Sequence, residues 1–236
     1  MSSAVDDDDL DAKVARRASG RPLEHVLGWA ELCGVRVAVD DGVFVPRRRS
    51  ELLVHEAARL ASAVGSGSAA EPVVLDLGCG SGALGVVVAT LAGGAELHAA
   101  EIDPASVVCA RRNLAPLGGV VHHGDLYAAL PASLLGRVDV LVANAPYVPS
   151  DEIGFLPAEA RDFEPRVALD GGSDGVEVQR RVASGASPWL APGGHLLIET
   201  SERQAPLTLA AFADAGLTAH RVTDDDLGAC VVVGRR

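Results

Sequence analysis

The sequence predicts an α/β fold in which a mostly parallel sheet is covered by helices on both faces, and three observations carry the prediction. Short apolar runs at Val73–Asp76, Leu97–Glu101, Val120–His122, Val138–Ala143 and His195–Thr200 read as strands buried on both faces. Helical segments at about Leu84–Leu91 and Ala105–Asn113 separate the early runs. The first run ends in a glycine-rich turn that opens a helix, where small residues let the backbone bend sharply and approach a ligand closely. With 236 residues and 48% hydrophobic content, the chain supports one full α/β domain plus a small appendage. Aromatics are only 3%, so Ala, Val and Leu must build most of the core.

Taken in order, residues 1–12 form an expected loose acidic start. A short helical stretch follows from Lys13 to Leu27, broken by Gly20-Arg21-Pro22. Val35–Val39 and Val43–Val45 flank Asp40-Asp41-Gly42 and read as a β-hairpin. Ser50 is expected to cap a helix running from Glu51 to about Ala63. Val64–Ala70 reads as a surface linker, which divides the chain into an N-terminal region, 1–70, and a main domain, 71–236. Two more strands, Thr218–Val222 and Ala229–Val233, close the chain, and no internal repeat is present.

Asp and Glu total 32 against 20 Lys and Arg, a formal charge of −12. A duplex held through many phosphates requires a cationic surface, so the balance disfavours stable nucleic-acid binding and suits a protein substrate with a basic surface. The four cysteines are far apart and form no CxxC pair. The acidic start is unlike a secretory signal, and no apolar run reaches the roughly 18 residues of a membrane span. The expectation is a cytoplasmic protein without membrane attachment, and no feature of the sequence sets its oligomeric state.

The chemistry begins at Gly78-Cys79-Gly80-Ser81-Gly82, between strand and helix. Such a loop is by itself also compatible with a plain tight turn. Glu101 ends the next strand, where a carboxylate is placed to accept from both hydroxyls of a ribose and to repel a 2′-phosphate. Loop and carboxylate together point to an adenosine-type cofactor and leave NAD and S-adenosylmethionine unseparated. After the third strand, Asp125 is a candidate acceptor for an adenine amino group, with Leu126 against the ring face. Its other reading is an acidic residue offsetting a helix dipole. His122 and His123 lack a spaced set of partner ligands, and no metal is assigned.

Asn144-Ala145-Pro146-Tyr147 selects the reaction. A polar residue ending a buried strand, then a proline-stiffened turn and an aromatic, is costly unless it meets a ligand. An amide nitrogen is a poor nucleophile that no base near neutral pH deprotonates. The Asn144 side-chain oxygen and the Ala145 carbonyl are suited to accept its two N–H groups, orienting the nitrogen and opposing the charge that grows on it. Pro146 would hold the turn, and Tyr147 would lie against the amide or line its slot. A methyl on a sulfonium then requires in-line placement above all.

These residues resemble a known family. Asn144–Tyr147 resembles the Asn-Pro-Pro-Tyr signature of methyltransferases acting on planar nitrogens, with Ala145 in place of the first proline. The chain from about Arg21 to its end is similar to the peptide chain release factor glutamine N5-methyltransferases. That likeness includes Arg21–Gly28, Val45–Glu51, Asp76–Gly82, Phe163–Leu169, Gly171–Gly175, Ala191–Gly194, Glu199 and Gln204. The resemblance implies a seven-stranded, Rossmann-like class I methyltransferase sheet with its last strand antiparallel, behind a substrate-recognition domain. It implies S-adenosylmethionine as cofactor, S-adenosylhomocysteine as product, and the glutamine of a release factor's Gly-Gly-Gln loop as acceptor. Carried over by position, Gly78 to Gly82, Glu101, Ile102, Asp125, Leu126 and Asn144 hold the cofactor, and Asn144 to Tyr147 hold the glutamine. Pro46–Glu51 would help close the site. About 70 residues precede the glycine-loop strand, fewer than the family's usual N-terminal domain. The alternative reaction is amino-methylation of adenine in nucleic acid, which uses the same acceptor geometry.

Overall fold

The computed structural model describes residues 7–67 and 70–236. Among them, seven strands form one sheet: β3 (Val73–Leu77), β4 (Glu96–Glu101), β5 (Val120–His123), β6 (Val138–Ala143), β7 (Leu190–Thr200), β8 (Thr218–Asp224) and β9 (Ala229–Arg235). Their order is β5-β4-β3-β6-β7-β9-β8, with β9 antiparallel to both its neighbours. The expected sheet, its number of strands and its antiparallel last strand are all present. The apolar runs become strands because β3 is buried along its whole length and β6 along all but Asp139.

Helices α3 (Glu51–Gly67), α4 (Ala83–Ala92) and α5 (Pro104–Leu114) cover one face. Leu53, Val54, Ala57 and Ala61 of α3 share a core there with Val87 of α4, Val107 of α5 and Val140 of β6. On the other face, α7 (Glu177–Ala186) and α8 (Ala205–Asp214) pack through Val182, Ala186 and Phe212 onto Leu141, Leu196 and Val232. Neither α7 nor α8 was expected from the sequence. A short helix, α6 (Ala158–Phe163), lies between β6 and α7. No helix among the described residues is long and apolar enough to cross a membrane.

The N-terminal region departs from expectation in four places. Helix α1 (Asp7–Ala18) takes in residues 7–12, which were expected to be loose. Acidic residues suit a helix N-terminus, and Lys13 Nζ reaches Asp9 at 2.6 Å one turn away. Residues 1–6 of the expected acidic start lie outside the described residues. After α2 (Leu23–Leu27), the hairpin forms from β1 (Trp29–Leu32) and β2 (Val35–Ala38), one strand earlier than predicted. Its two-residue turn places Cys33 and Gly34 at φ 49° and 75°, and a cysteine is a poor signal for that geometry. Val43 and Val45 form no strand; both are buried, and Val43 O instead meets His25 Nε2 at 2.8 Å.

Ser50, the third departure, does not cap α3. It closes a 3₁₀ turn, Arg48–Ser50, and its hydroxyl donates to Glu199 Oε2 at 2.6 Å. The α3 helix continues to Gly67, through most of the expected linker, of which residues 68 and 69 lie outside the described residues.

Candidate active site

The chain leaves β3 toward β4 and β5 on one side, while β6 and β7 follow on the other. This reversal opens a crevice at the carboxyl ends of β3 and β6, where α/β sheets bind ligands. The Gly78–Gly82 loop leaves β3 there and Asn144 leaves β6. The loop is anchored to β4, since the Gly78 and Cys79 N–H groups both donate to Ala100 O, at 2.8 and 3.1 Å. Gly82 opens α4 at φ 78°, and a Cβ there would stand 2.4 Å from Leu114 Cδ1. Only glycine fits.

A largely apolar cavity fills the crevice. Gly78, Cys79, Gly80 and Ser81 form one wall, Glu101 and Ile102 a second, and Asp125 and Leu126 a third, with Asn144 and Pro146 at one end. Every residue expected to hold the cofactor is therefore brought together except Gly82, which serves the helix entry behind the wall. Glu101 is mostly buried, and its carboxylate holds the loop: Oε2 accepts from Gly80 N at 2.7 Å, Oε1 from Ile102 N and Asp103 N at 2.8 and 2.9 Å. A carboxylate has about four acceptor directions, so this arrangement leaves one, on Oε2, for a ribose hydroxyl. Acceptance from both hydroxyls requires Gly80 N–H to let go. A Cβ built at Gly78 meets no atom within 4 Å, so space for a ligand lies against bare backbone. Carboxylate, open backbone and apolar walls fit an adenosine group.

Asp125 makes no side-chain capping bond to the 3₁₀ turn Leu126–Ala129 that follows it. Its Oδ2 accepts from Arg181 at 2.7 Å at the cavity rim, both side chains being exposed. Leu126 adopts φ 46°, a conformation disfavoured for a branched side chain, at the cavity wall.

A second cavity meets the first, and Phe44, Asn144, Pro146 and Ala168 line both. Ala145 and Tyr147 line the second, together with Arg47 and Arg49. Among the described residues Asn144 Oδ1 accepts no hydrogen bond, while Nδ2 lies 3.4 Å from Ser50 Oγ. The Ala145 N–H has no acceptor among the described residues. The Tyr147 hydroxyl donates to Glu199 Oε1 at 3.3 Å, and the Arg49 guanidinium lies 5.4 Å from the ring centre. Burial, reinforced by the nearby Glu199 charge, pushes the phenol well above its ordinary value. Tyr147 is thus a neutral donor and not a base. Arg47 spans the cavity edge to the buried Glu164, 2.6 Å from each carboxylate oxygen. Burial raises the Glu164 carboxyl, and the Arg47 charge opposes that rise.

The sequence assigned no role to several residues that build this site. Glu199 and Gln204 were visible only as parts of a family resemblance. Gln204 Nε2 donates to Tyr147 O at 2.8 Å and to Asp174 O at 3.2 Å, holding the tail of the Asn-Ala-Pro-Tyr turn. A Cβ on Gly175 (φ 76°) would fall 2.2 Å from that Nε2 and 2.5 Å from Tyr147 O. The glycine is what lets the two segments close. A buried acidic residue late in an apolar strand, as in Leu196–Glu199, is the one signal that would have marked Glu199.

Known proteins similar to this chain identify its family. The model of the methyltransferase small domain matches residues 40–155. A release factor glutamine methyltransferase from Geobacter sulfurreducens is 36% identical over 225 residues, covering 94% of this chain and 76% of the relative. One from Bordetella pertussis is 39% identical, covering 86% and 73%. The chain belongs to the release factor glutamine methyltransferase family. It is accordingly a methyltransferase that depends on S-adenosylmethionine. Among solved structures, a methyltransferase from Pyrococcus furiosus superimposes with a TM-score of 0.61 at 14% identity, covering 96% of this chain and 98% of that one. The Thermus thermophilus 16S rRNA N2 G1207 methyltransferase gives 0.55 at 24% identity, covering 88% of this chain and 49% of that one. These two likenesses show the class I methyltransferase fold.

Proposed function

We propose that this member of the family methylates the side-chain amide nitrogen, N5, of a glutamine in the Gly-Gly-Gln loop of a peptide chain release factor. One observation carries the reading: two cavities meet, Asn144 and Pro146 line both, and Asn144 Oδ1 accepts no hydrogen bond among the described residues. Gly78 to Ser81, Glu101, Ile102, Asp125 and Leu126 would hold S-adenosylmethionine, which supplies an electrophilic methyl when bound. Asn144 Oδ1 and the Ala145 carbonyl would accept the two amide N–H groups and orient the nitrogen toward the first cavity. Those acceptors also oppose the positive charge that develops during attack. Tyr147 stays protonated and lines the slot. Residues 1–70 would serve substrate recognition, since Arg47 and Arg49 bring that region to the wall of the second cavity. The release factor names of the relatives supply the acceptor.

The test is transfer of labelled methyl from S-adenosylmethionine to a purified release factor, with the site located by mass spectrometry. The expected result is one methyl on the Gly-Gly-Gln glutamine, and none on a factor in which that glutamine is alanine. Label entering duplex DNA or RNA, with none in the protein, would overturn the assignment.

A further inference from the structure

An asparagine side chain presents either its oxygen or its NH2 to a neighbour, and only the oxygen accepts from an amide N–H. We propose that Glu199, acting through Ser50, sets this choice at Asn144 and holds Oδ1 toward the substrate cavity. The inference rests on the reading of Asn144 as the acceptor that orients the glutamine nitrogen.

The number of protons on Ser50 fixes the orientation of Asn144. Ser50 Oγ has one proton, committed to Glu199 Oε2 in a short bond of 2.6 Å to a charged acceptor. Both residues are 1% exposed, so water does not compete for it. The hydroxyl therefore faces Asn144 with lone pairs only. The Asn144 atom 3.4 Å away must be Nδ2; turned over, two oxygens would oppose each other. With Nδ2 fixed on Ser50, Oδ1 is directed away from it and accepts no bond among the described residues. The contact is long in the free protein and has room to tighten when the acceptor amide binds.

Glu199 is itself held against rotation. Its Oε1 accepts from Arg49 Nε at 3.2 Å and from the Tyr147 hydroxyl at 3.3 Å. Its backbone carbonyl accepts from Gln179 Nε2 at 3.3 Å, and Gln179 Oε1 in turn accepts from Thr208 at 2.6 Å. One buried carboxylate thus orients Asn144, Tyr147 and Arg49 together. Glu199 and Ser50 are positioning residues, since neither lines the cofactor cavity or the slot.

Substitution separates the relay from mere packing. Ser50→Ala removes the link, and Ser50→Thr keeps the hydroxyl. In Glu199→Gln, Arg49 and Tyr147 keep an oxygen on their side, so Nε2 faces Ser50 and turns its proton toward Asn144. The expected kcat on a Gly-Gly-Gln substrate falls between about 10- and 100-fold for Ser50→Ala and at least as far for Glu199→Gln. Ser50→Thr retains most activity, and all three bind S-adenosylhomocysteine as the parent does. A second readout needs no substrate. The chain has two asparagines, Asn113 and Asn144, so ¹⁵N-asparagine labelling gives two side-chain amide signals, assigned by Asn144→Asp. The Asn144 amide protons should exchange more slowly with solvent in the parent and in Ser50→Thr than in Ser50→Ala. Unchanged Asn144 signals in Ser50→Ala, or a Ser50→Ala kcat within about twofold of the parent, would overturn the relay. A parent protein that methylates no glutamine would instead overturn the functional reading, while the amide signals still decide the relay.

Discussion

Asp76, beneath the glycine loop, should make the fold less stable as pH rises, and Asp76→Asn should remove that dependence. The side chain is fully buried in β3; Oδ2 accepts from Gly85 N at 2.8 Å, and Oδ1 has no partner among the described residues. Burial raises its pKa from 3.8 to about 7, with Glu101 adding to the rise and the Gly85 N–H opposing it. The sign follows from proton binding. Between those two values the folded chain keeps a proton that the unfolded chain has lost, so stability falls with rising pH. At about 1.4 kcal/mol per pH unit, the loss across the window is on the order of 4 kcal/mol as an upper bound. Asparagine mimics the protonated acid: it still accepts from Gly85 and places an unpartnered donor where the acid carries its proton. Urea denaturation of both proteins at pH steps from 4 to 8, without cofactor, measures the effect. The parent should lose stability relative to Asp76→Asn as pH climbs, with most of the change complete by about pH 8. Parallel stability curves across that range would refute burial as the cause.

Four further outcomes are expected. Asn144→Ala should stay folded and bind cofactor while methyl transfer drops about 10²–10³-fold, as loss of one preorganised hydrogen-bonding group does; steady-state kinetics with a binding assay checks it. Asn144→Asp should retain partial activity above that of Asn144→Ala in the same assay, because the carboxylate still accepts. Ala145→Pro should leave turnover unchanged or modestly higher, since the Ala145 N–H donates to nothing among the described residues and a preset φ lowers the ordering cost; a loss of more than about tenfold would show a different turn. Gly175→Ala should destabilise the protein by about 1–3 kcal/mol through its close approach to Gln204 and Tyr147, and should lower activity as well, read by melting temperature and turnover.

Much of the fold was legible because parallel strands buried on both faces must be continuously apolar, and this sequence writes them so. The glycine loop, Glu101 and Asn144 stood out for a related reason: each is a residue type that a strand end tolerates only at some cost. Helices α7 and α8 left a weaker trace in a chain rich in Ala and Gly, and the hairpin moved because its turn uses Cys33 where asparagine or glycine would announce it. The sheet, and the glycine loop and asparagine that meet at its crevice, were thus written in the chain. The orientation of the Asn144 side chain was not. That choice depends on Ser50, 94 positions before Asn144 in the chain, and on Glu199, which lies 149 positions after Ser50. A hydrogen-bond polarity relayed between segments so far apart exists only once the sheet has brought the carboxyl ends of β6 and β7 beside the start of α3.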